Sequence, residues 1–381
     1  MKILFICHSL SRNGGTLAML QEIEKFQEQH QDIQIEVLSQ EEGPLMETFQ
    51  KICPTRCIHY RLIHLLKRKL WEKLFRRPYL FGYNKRQFDL VYANTVFTYQ
   101  TAYAFKKTWG IPVIMHVHEA SNSDHSTSSK KELISKFDTF IAASELTKKH
   151  IMTHYGIDPS RISIQYPVSY YADKFIQAST NREARQNGSQ VIIGLCGQYS
   201  WVKGSDLMPL VIKHFFNRHP DAPCHFNIIA RYHCLDRQKQ RNQWEYDTEM
   251  LEIQDKVTII QETSDPLMYY QQFDIFLVAS REETFSLAAQ EAALTGLPIV
   301  AFKGATGIEE WLKDKAGVFV PYLNLDILAD TLYQLSMDKE MRCRMGAQCK
   351  NIVMEKTKQA ANMENVIQTI EKYSRPFLFP E

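Results

Sequence analysis

Ala279-Ser-Arg-Glu-Glu-Thr-Phe-Ser-Leu-Ala-Ala-Gln-Glu-Ala-Ala-Leu-Thr-Gly-Leu-Pro-Ile-Val-Ala-Phe302 follows an apolar run, Ile275–Val278, whose length and β-branched content read as a buried strand. Ser286 is placed to cap a helix over Leu287–Leu294, Gly296 to stop it, and Pro298 to bar its continuation before a second strand opens at Ile299. The unit is β-α-β. It carries two carboxylates, Glu283 in the turn and Glu291 on the helix, with seven residues between them. Glu291 lies roughly 7–8 Å beyond Ser286 along the axis, at ~1.5 Å per residue, so the two acids bracket the helix N-terminus. Unbonded backbone N–H groups and the positive end of the dipole gather there, which suits a diphosphate. A carboxylate on either side suits hydroxyls, those of a sugar and those of a ribose; together these are the parts of a nucleotide sugar. For either acid taken alone, a solvated helix-end charge is the plain alternative.

The segment resembles the signature of glycosyltransferase family 4, Glu-x-Phe-Gly-x-x-x-x-Glu-Ala-x-x-x-Gly-x-Pro, of retaining nucleotide-sugar transferases with the GT-B fold. Glu283, Phe285, Glu291, Ala292, Gly296 and Pro298 match it in register. Ser286 stands where the family usually has Gly, and Thr284 replaces another common Gly. The resemblance implies that Glu283 meets the donor sugar's hydroxyls, that Glu291 binds the ribose, and that the turn of Thr284, Phe285, Ser286 and Leu287 binds the donor.

Upstream, Val191–Cys196, His225–Ile229 and Val257–Gln261 read as strands, with helices over Ser205–Asn217 and Pro266–Gln272. The loop after the first of these strands, Gly197-Gln-Tyr-Ser-Trp-Val-Lys-Gly204, resembles the family's Gly-Arg-x-x-x-x-Lys-Gly, whose cations neutralise the leaving diphosphate. Lys203 is retained; Gln198 replaces the Arg and carries no charge. Arg231, after the next strand, is the candidate to share the load.

A polar run, Ser179–Gln190, separates this array from an earlier one. Lys2–Cys7, Ile33–Leu38, Asp89–Ala93, Ile111–Val117, Thr139–Ser144 and Arg161–Val168 read as strands, and Leu17–Gln29, Phe97–Thr108 and Glu145–Tyr155 as helices. Gly14-Gly15 falls between the first strand and first helix, where glycines permit close backbone approach. A tight turn is the plain reading of that pair; the resemblance implies contact with the donor phosphates. His118 ends a strand, where open α/β sheets place ligands, and the resemblance implies an approach to the donor sugar. Asn122–Lys131 reads as a polar loop.

Between His59 and Arg86 nine Lys or Arg face the single acid Glu72, and Leu62, Leu66, Leu70 and Leu74 recur every four residues. This is the pattern of a basic amphipathic helix suited to an anionic membrane surface; a core-packed helix with a solvated basic face is the alternative. Over the whole chain the formal net charge is +2, which argues against a nucleic-acid partner. The eight cysteines show no metal or disulfide framework and read as reduced thiols. No apolar run approaches the ~18 residues of a membrane span, and the N-terminal apolar run is too short for a signal peptide.

These readings lead to an α/β protein of 381 residues, a GT-B fold of two Rossmann-like doubly wound domains facing across a cleft. Residues 1–172 form the acceptor-side domain, 173–190 a linker, 191–360 the nucleotide-sugar domain, and 361–381 a helical tail packing back on the first. The expected function is that of a retaining glycosyltransferase. It would move a hexose-type sugar from a nucleoside diphosphate sugar to a glycan or glycolipid hydroxyl, in cell-surface polysaccharide biosynthesis. Glu283, Lys203 and His118 form the catalytic set. Gly14, Gly15, Gln198, Arg231, Thr284, Phe285, Ser286, Leu287 and Glu291 bind the donor. No metal or cofactor is expected, and the location is cytoplasmic, peripheral at the inner face of the plasma membrane. The alternative, raised by Gln198 and the missing signature Gly, is a weakly active or inactive nucleotide-sugar-binding protein at that surface.

Overall fold

The computed structural model describes residues 1–58, 83, 85–119, 127–178, 190–231, 237–261, 263, 265–313 and 315–373. Of the basic stretch 59–86, all but Tyr83, Lys85 and Arg86 lies outside them. Contacts divide the chain into two compact units, Met1–Tyr170 with Ala360–Glu381, and Tyr171–Gln359.

Unit 1 is built on seven parallel strands: β1 (Lys2–Cys7), β2 (Gln34–Ser39), β3 (Thr55–Cys57), β4 (Leu90–Asn94), β5 (Val113–Val117), β6 (Thr139–Ala142) and β7 (Ile162–Ile164). Their order is β3-β2-β1-β4-β5-β6-β7. Alternate residues face opposite sides of a sheet, and both sides are covered here, which is why the strands read as continuous apolar runs. Phe5, Val37 and Ile114 pack with Met19, Ile23 and Phe26 of the first helix, Gly14–Gln29, and with Val366 and Ile370 of the last, Glu364–Glu371. Leu4, Val91 and Met115 pack on the other side with Phe105, Ile134 and Ile151 of three further helices. The last helix is fastened to unit 1 by Asn365, whose amide donates to the Ile164 carbonyl at 2.7 Å.

Unit 2 repeats the plan with β8 (Val191–Gln198), β9 (Cys224–Arg231), β10 (Val257–Gln261), β11 (Ile275–Val278), β12 (Ile299–Phe302) and β13 (Val318–Val320), in the order β10-β9-β8-β11-β12-β13. Its core joins Ile193, Phe226, Leu277 and Val300 to Phe215 and Leu332 from flanking helices. In both sheets the order reverses beside the first strand, between β1 and β4 and between β8 and β11. A crevice opens outside the carboxyl ends of strands at such a point.

Several boundaries differ from the sequence reading. The first helix starts at Gly14, because the Asn13 side chain accepts the Thr16 N–H at 2.9 Å and caps it. Gly14 and Gly15 are therefore its first turn, not part of the preceding loop. Residues 128–131, the end of the expected polar loop, belong to the helix Ser128–Ser135, which Thr127 caps. Residues 173–178, placed in the linker, belong with Ala172 to a helix of unit 2, Ala172–Ala178, that packs on the Leu287–Leu294 helix. β8 and β9 run on to Gln198 and Arg231, so both residues end strands. The helix Arg237–Met250 has no counterpart in the sequence reading.

Candidate active site

In unit 2 the turns after β8 and β11 come together at the switch point. Lys203 and Glu283 meet there as an ion pair, Nζ to Oε1. The second oxygen of Glu283 accepts from Ser280 Oγ at 3.2 Å. Its backbone is clamped too: the N–H donates to Ala305 at 2.7 Å and the carbonyl accepts from Gly307 at 3.1 Å. Glu283 is buried to 9% exposure, while the Lys203 side chain keeps 32%. One partner is fixed and the other can turn outward.

The Lys203 turn is held as firmly at its backbone. Ser200 Oγ accepts the Lys203 N–H at 3.3 Å, and Ser205 Oγ donates to the Gln198 carbonyl at 3.2 Å. Gly204 sits at φ +69°, and a Cβ there would stand 2.1 Å from the Ala279 carbonyl oxygen. Only glycine satisfies both conditions. A cavity of about 40 Å³ beside the pair is lined by Gly197, Lys203, Ala279, Ser280, Glu283 and Ser286.

Ser286 caps the helix Leu287–Leu294 by accepting the Ala289 N–H at 3.2 Å, as its sequence position predicts. Phe285 is buried edge-on against Trp311, 4.7 Å between ring centroids, which anchors the turn. Those side chains serve the fold, and Thr284 and Leu287 are half-buried beside them. The helix ends at Gly296, φ +82°, with the Leu297 N–H returning to Ala292. Glu291, one turn in, accepts weakly from Tyr270 Oη at 3.4 Å. Burial, followed by charge from Cys196 and Glu291, raises that phenol well above its usual pKa and keeps it a donor. Gln198 is exposed at the end of β8, directly beside Arg231 in the parallel register.

In unit 1 the switch point gathers Gly14, Gly15 and His118. Asn94 links two of them: its amide nitrogen donates to the Gly15 carbonyl at 3.0 Å, and its oxygen accepts from His118 Nε2 at 2.8 Å. That contact fixes the protonated nitrogen of His118. Burial, then the neighbouring charges of His116 and His8, push His118 well below the ordinary imidazole pKa, so the ring is neutral. The His116 ring lies against it, tilted by 36° with centroids 3.9 Å apart. Beneath, the Tyr92 hydroxyl donates to buried Glu22 at 2.8 Å, and His116 Nδ1 lies 2.8 Å from that hydroxyl and 3.1 Å from the carboxylate. Glu119 accepts the Val96 and His118 N–H groups at 3.1 and 3.2 Å.

The sequence reading missed Asn94, Glu22 and His116, whose roles depend on partners far along the chain, and it did not foresee the Lys203–Glu283 pair. Of the residues it named, Lys203 and Glu283 lie at the unit 2 switch point and Gly14, Gly15 and His118 at that of unit 1, while Arg231 ends β9. Among the described residues no group of three or more His, Cys, Asp or Glu could hold a metal ion, and no helix is long and apolar enough to cross a membrane.

Comparison with known proteins follows the same division. Residues 177–352 match the model of Glycosyl transferases group 1, and residues 14–167 match that of Glycosyltransferase Family 4. A D-inositol 3-phosphate glycosyltransferase of Corynebacterium glutamicum is 23% identical over 283 residues, 69% of this chain and 67% of its own length. Its namesake from Thermobifida fusca is 22% identical over 281 residues, 68% and 64% of the two. The chain thus spans about two thirds of these relatives. Anabaena Alr3699/HepE, solved in complex with UDP-glucose, superimposes with a TM-score of 0.77 at 16% identity, covering 98% of this chain and 100% of its own. Sucrose-phosphate synthase from Thermosynechococcus elongatus gives 0.74 at 14%, covering 98% and 99%. At such identities the likeness is one of fold.

Proposed function

The chain belongs to glycosyltransferase family 4, and from that premise we propose that it transfers a hexose-type sugar, with retention of configuration, from a nucleoside diphosphate sugar to an acceptor hydroxyl. The observation that carries this reading is the Lys203–Glu283 pair set against the capped N-terminus of helix Leu287–Leu294. A diphosphate at that N-terminus draws the half-exposed ammonium of Lys203 away from Glu283. The carboxylate, still fixed by its backbone, then accepts from hydroxyls of the donor sugar. Glu291 takes the ribose.

As the anomeric C–O bond breaks, the diphosphate leaves with the electron pair, and Lys203, Arg231 and the helix N-terminus stabilise its growing charge. The acceptor oxygen attacks the same face, and its proton passes to the departing phosphate oxygen. Gly14 and Gly15 open a helix whose N-terminal amides suit a phosphate, the donor contact that the resemblance implies for them. His118, as a neutral ring, keeps the donor-sugar contact that the resemblance implies. The reading assigns no step to a metal or cofactor.

For the acceptor, a glycan or glycolipid of cell-surface polysaccharide assembly remains the proposal. The names of the curated relatives add a cyclitol phosphate as a second class. Residues 59–86 would hold the enzyme at an anionic membrane on its cytoplasmic side. Co-sedimentation with anionic but not neutral vesicles, falling as salt rises, checks that attachment.

The test of the function is a thermal-shift panel of nucleotides and nucleotide sugars followed by product analysis. A true donor at ~100 times its Kd adds about 2.7 kcal/mol of stability. Transfer from an α-linked donor should give an α-linked product by NMR. Stabilisation without transfer or donor hydrolysis would reduce the protein to a binding module, and a β-product would remove retention.

A further inference from the structure

We infer that Trp201 is an acceptor platform, its indole stacking on a polyhydroxylated six-membered ring, a sugar or a cyclitol, brought to the donor site. The assignment builds on the glycosyltransferase reading above. Trp201 lies two residues before Lys203 in the turn after β8 and is 53% exposed. An indole half in water offers a ligand a large, rigid apolar face.

The ring is exposed without being loose. The Trp201 carbonyl accepts from the Gly204 N–H at 3.0 Å and from the Arg281 guanidinium at 2.8 Å. That guanidinium lies over the indole, 4.6 Å from the ring centroid, while its other contacts grip Asp206 with two hydrogen bonds of 2.7 and 2.8 Å. A fork held bidentately is a fixed cation, so it holds the indole in place by cation–π attraction. A pre-oriented aromatic loses little freedom on binding.

Position decides what that surface meets. The Val202 carbonyl accepts the N–H groups of Arg281 and Glu282 at 2.8 and 3.3 Å. The turn carrying Trp201 is therefore stitched to the turn carrying Glu283, at the sugar end of the donor. Glu291, on the ribose side, is instead joined to Tyr270. Arg281 takes one face of the indole; a face carries the negative part of the ring quadrupole, so the other favours the polarised C–H bonds on one face of a pyranose or cyclitol. Glu283 already faces the donor sugar's hydroxyls, so the ring that Trp201 receives is the acceptor's.

Saturation-transfer NMR on the full chain tests this with methyl α-D-glucopyranoside, methyl N-acetyl-α-D-glucosaminide and inositol 3-phosphate, each with UDP present. At least one should receive saturation on its ring C–H protons, and which one does separates sugar from cyclitol. Trp201→Ala should weaken that ligand ~10-fold and Trp201→Tyr by less than ~3-fold. The thermal shift given by nucleotide sugars should be unchanged in both variants. The platform is overturned if no ring binds the wild type while a nucleotide sugar does, or if Trp201→Ala binds the ring normally. It is equally overturned if Trp201→Ala loses the nucleotide-sugar shift, which would make the residue a donor contact, or loses only vesicle binding, which would make it a membrane anchor. Absence of any nucleotide-sugar shift in the wild type would bring down the transferase reading itself.

Discussion

The two units solve the same topological problem with opposite chemistry. Each opens a crevice where strand order reverses, between β1 and β4 in unit 1 and between β8 and β11 in unit 2. In unit 1 the polar groups are sunk: Glu22 and His116 are 4% and 1% exposed, bonded to Tyr92, with a neutral His118 above them. In unit 2 the charge is presented, Lys203 being half-exposed over a fixed Glu283. A sunk hydrogen-bonded cluster holds shape; a presented ion pair can exchange its partner for a ligand. The difference is where each unit's energy goes, and substitution should separate the two.

The largest expected effect is on stability, in unit 1. Removing one member of a buried hydrogen-bonded cluster strands its partners, at a cost of about 3 kcal/mol. Glu22→Ala should show that loss in urea titration. Glu283→Ala, its counterpart in unit 2, should cost under about 1 kcal/mol because Lys203 can reach water. It should nevertheless chiefly lower turnover and leave binding of the bare nucleoside diphosphate nearly intact. Equal destabilisation by the two substitutions would erase the contrast.

Next comes turnover in unit 2. Lys203→Ala removes a charge-assisted contact that strengthens as the bond breaks, so kcat should fall ~100-fold, about 2.7 kcal/mol. A fully active Lys203→Ala enzyme would end the diphosphate assignment. Glu291→Ala should weaken the nucleotide sugar and the bare nucleotide alike, by ~10-fold in calorimetry, as loss of one charged hydrogen-bonding site would. Unchanged affinity for both would remove the ribose assignment.

How much of this could be read beforehand depends on the distance between partners. Ser286, Gly296 and Pro298 act on neighbours within a few residues, so the β-α-β unit was legible. The Lys203–Glu283 pair joins residues 80 apart, and Asn94 reaches Gly15 across 79; no local pattern marks either. In β5 both faces are buried, so alternation does not separate His116, which is structural, from His118, at the strand end. The helix Arg237–Met250 escaped because Trp244 is its main apolar contact with the core, too little to set a period. Gly14-Gly15 looked like a turn because glycine disfavours helices, and the Asn13 cap outweighed that preference.

Acid should expose the buried histidines of unit 1. Burial lowers His118, with His116 and His8 adding to it, and burial also lowers His8, opposed by Glu41. Both resist protonation in the folded chain, whereas an unfolded histidine takes up a proton near ~6.5. Below that pH the unfolded state holds more protons, so stability rises with pH through this window and levels off above it. His118→Asn should flatten the slope by at most ~1.4 kcal/mol per pH unit, the value for one proton. His225 in unit 2 is lowered by burial as well, so His225→Asn is the control and should flatten it less, being less deeply placed. A larger effect from His225 would move the acid-sensitive element to unit 2.

The smallest effect is the most discriminating for the presented charge. Gln198 ends β8 opposite Arg231, which ends β9, and the parallel register makes them direct neighbours. Adjacent strands lie ~4.8 Å apart with paired side chains on one face, so an Arg at 198 would set two guanidinium groups side by side. Gln198 is exposed, and at that separation two like charges in water repel by about 1 kcal/mol, less in salt. Gln198→Arg should therefore lower donor turnover by no more than ~5-fold. Raising ionic strength should narrow the gap to wild type, and Gln198→Arg combined with Arg231→Gln should recover the activity, because the pair then carries one cation again with the sites exchanged. If Gln198→Arg alone raises turnover, and Arg231→Gln leaves wild-type activity unchanged, then Arg231 does not face the diphosphate. Lys203 would then be the sole side-chain cation on the leaving group, and the contrast between the units would rest on that one lysine.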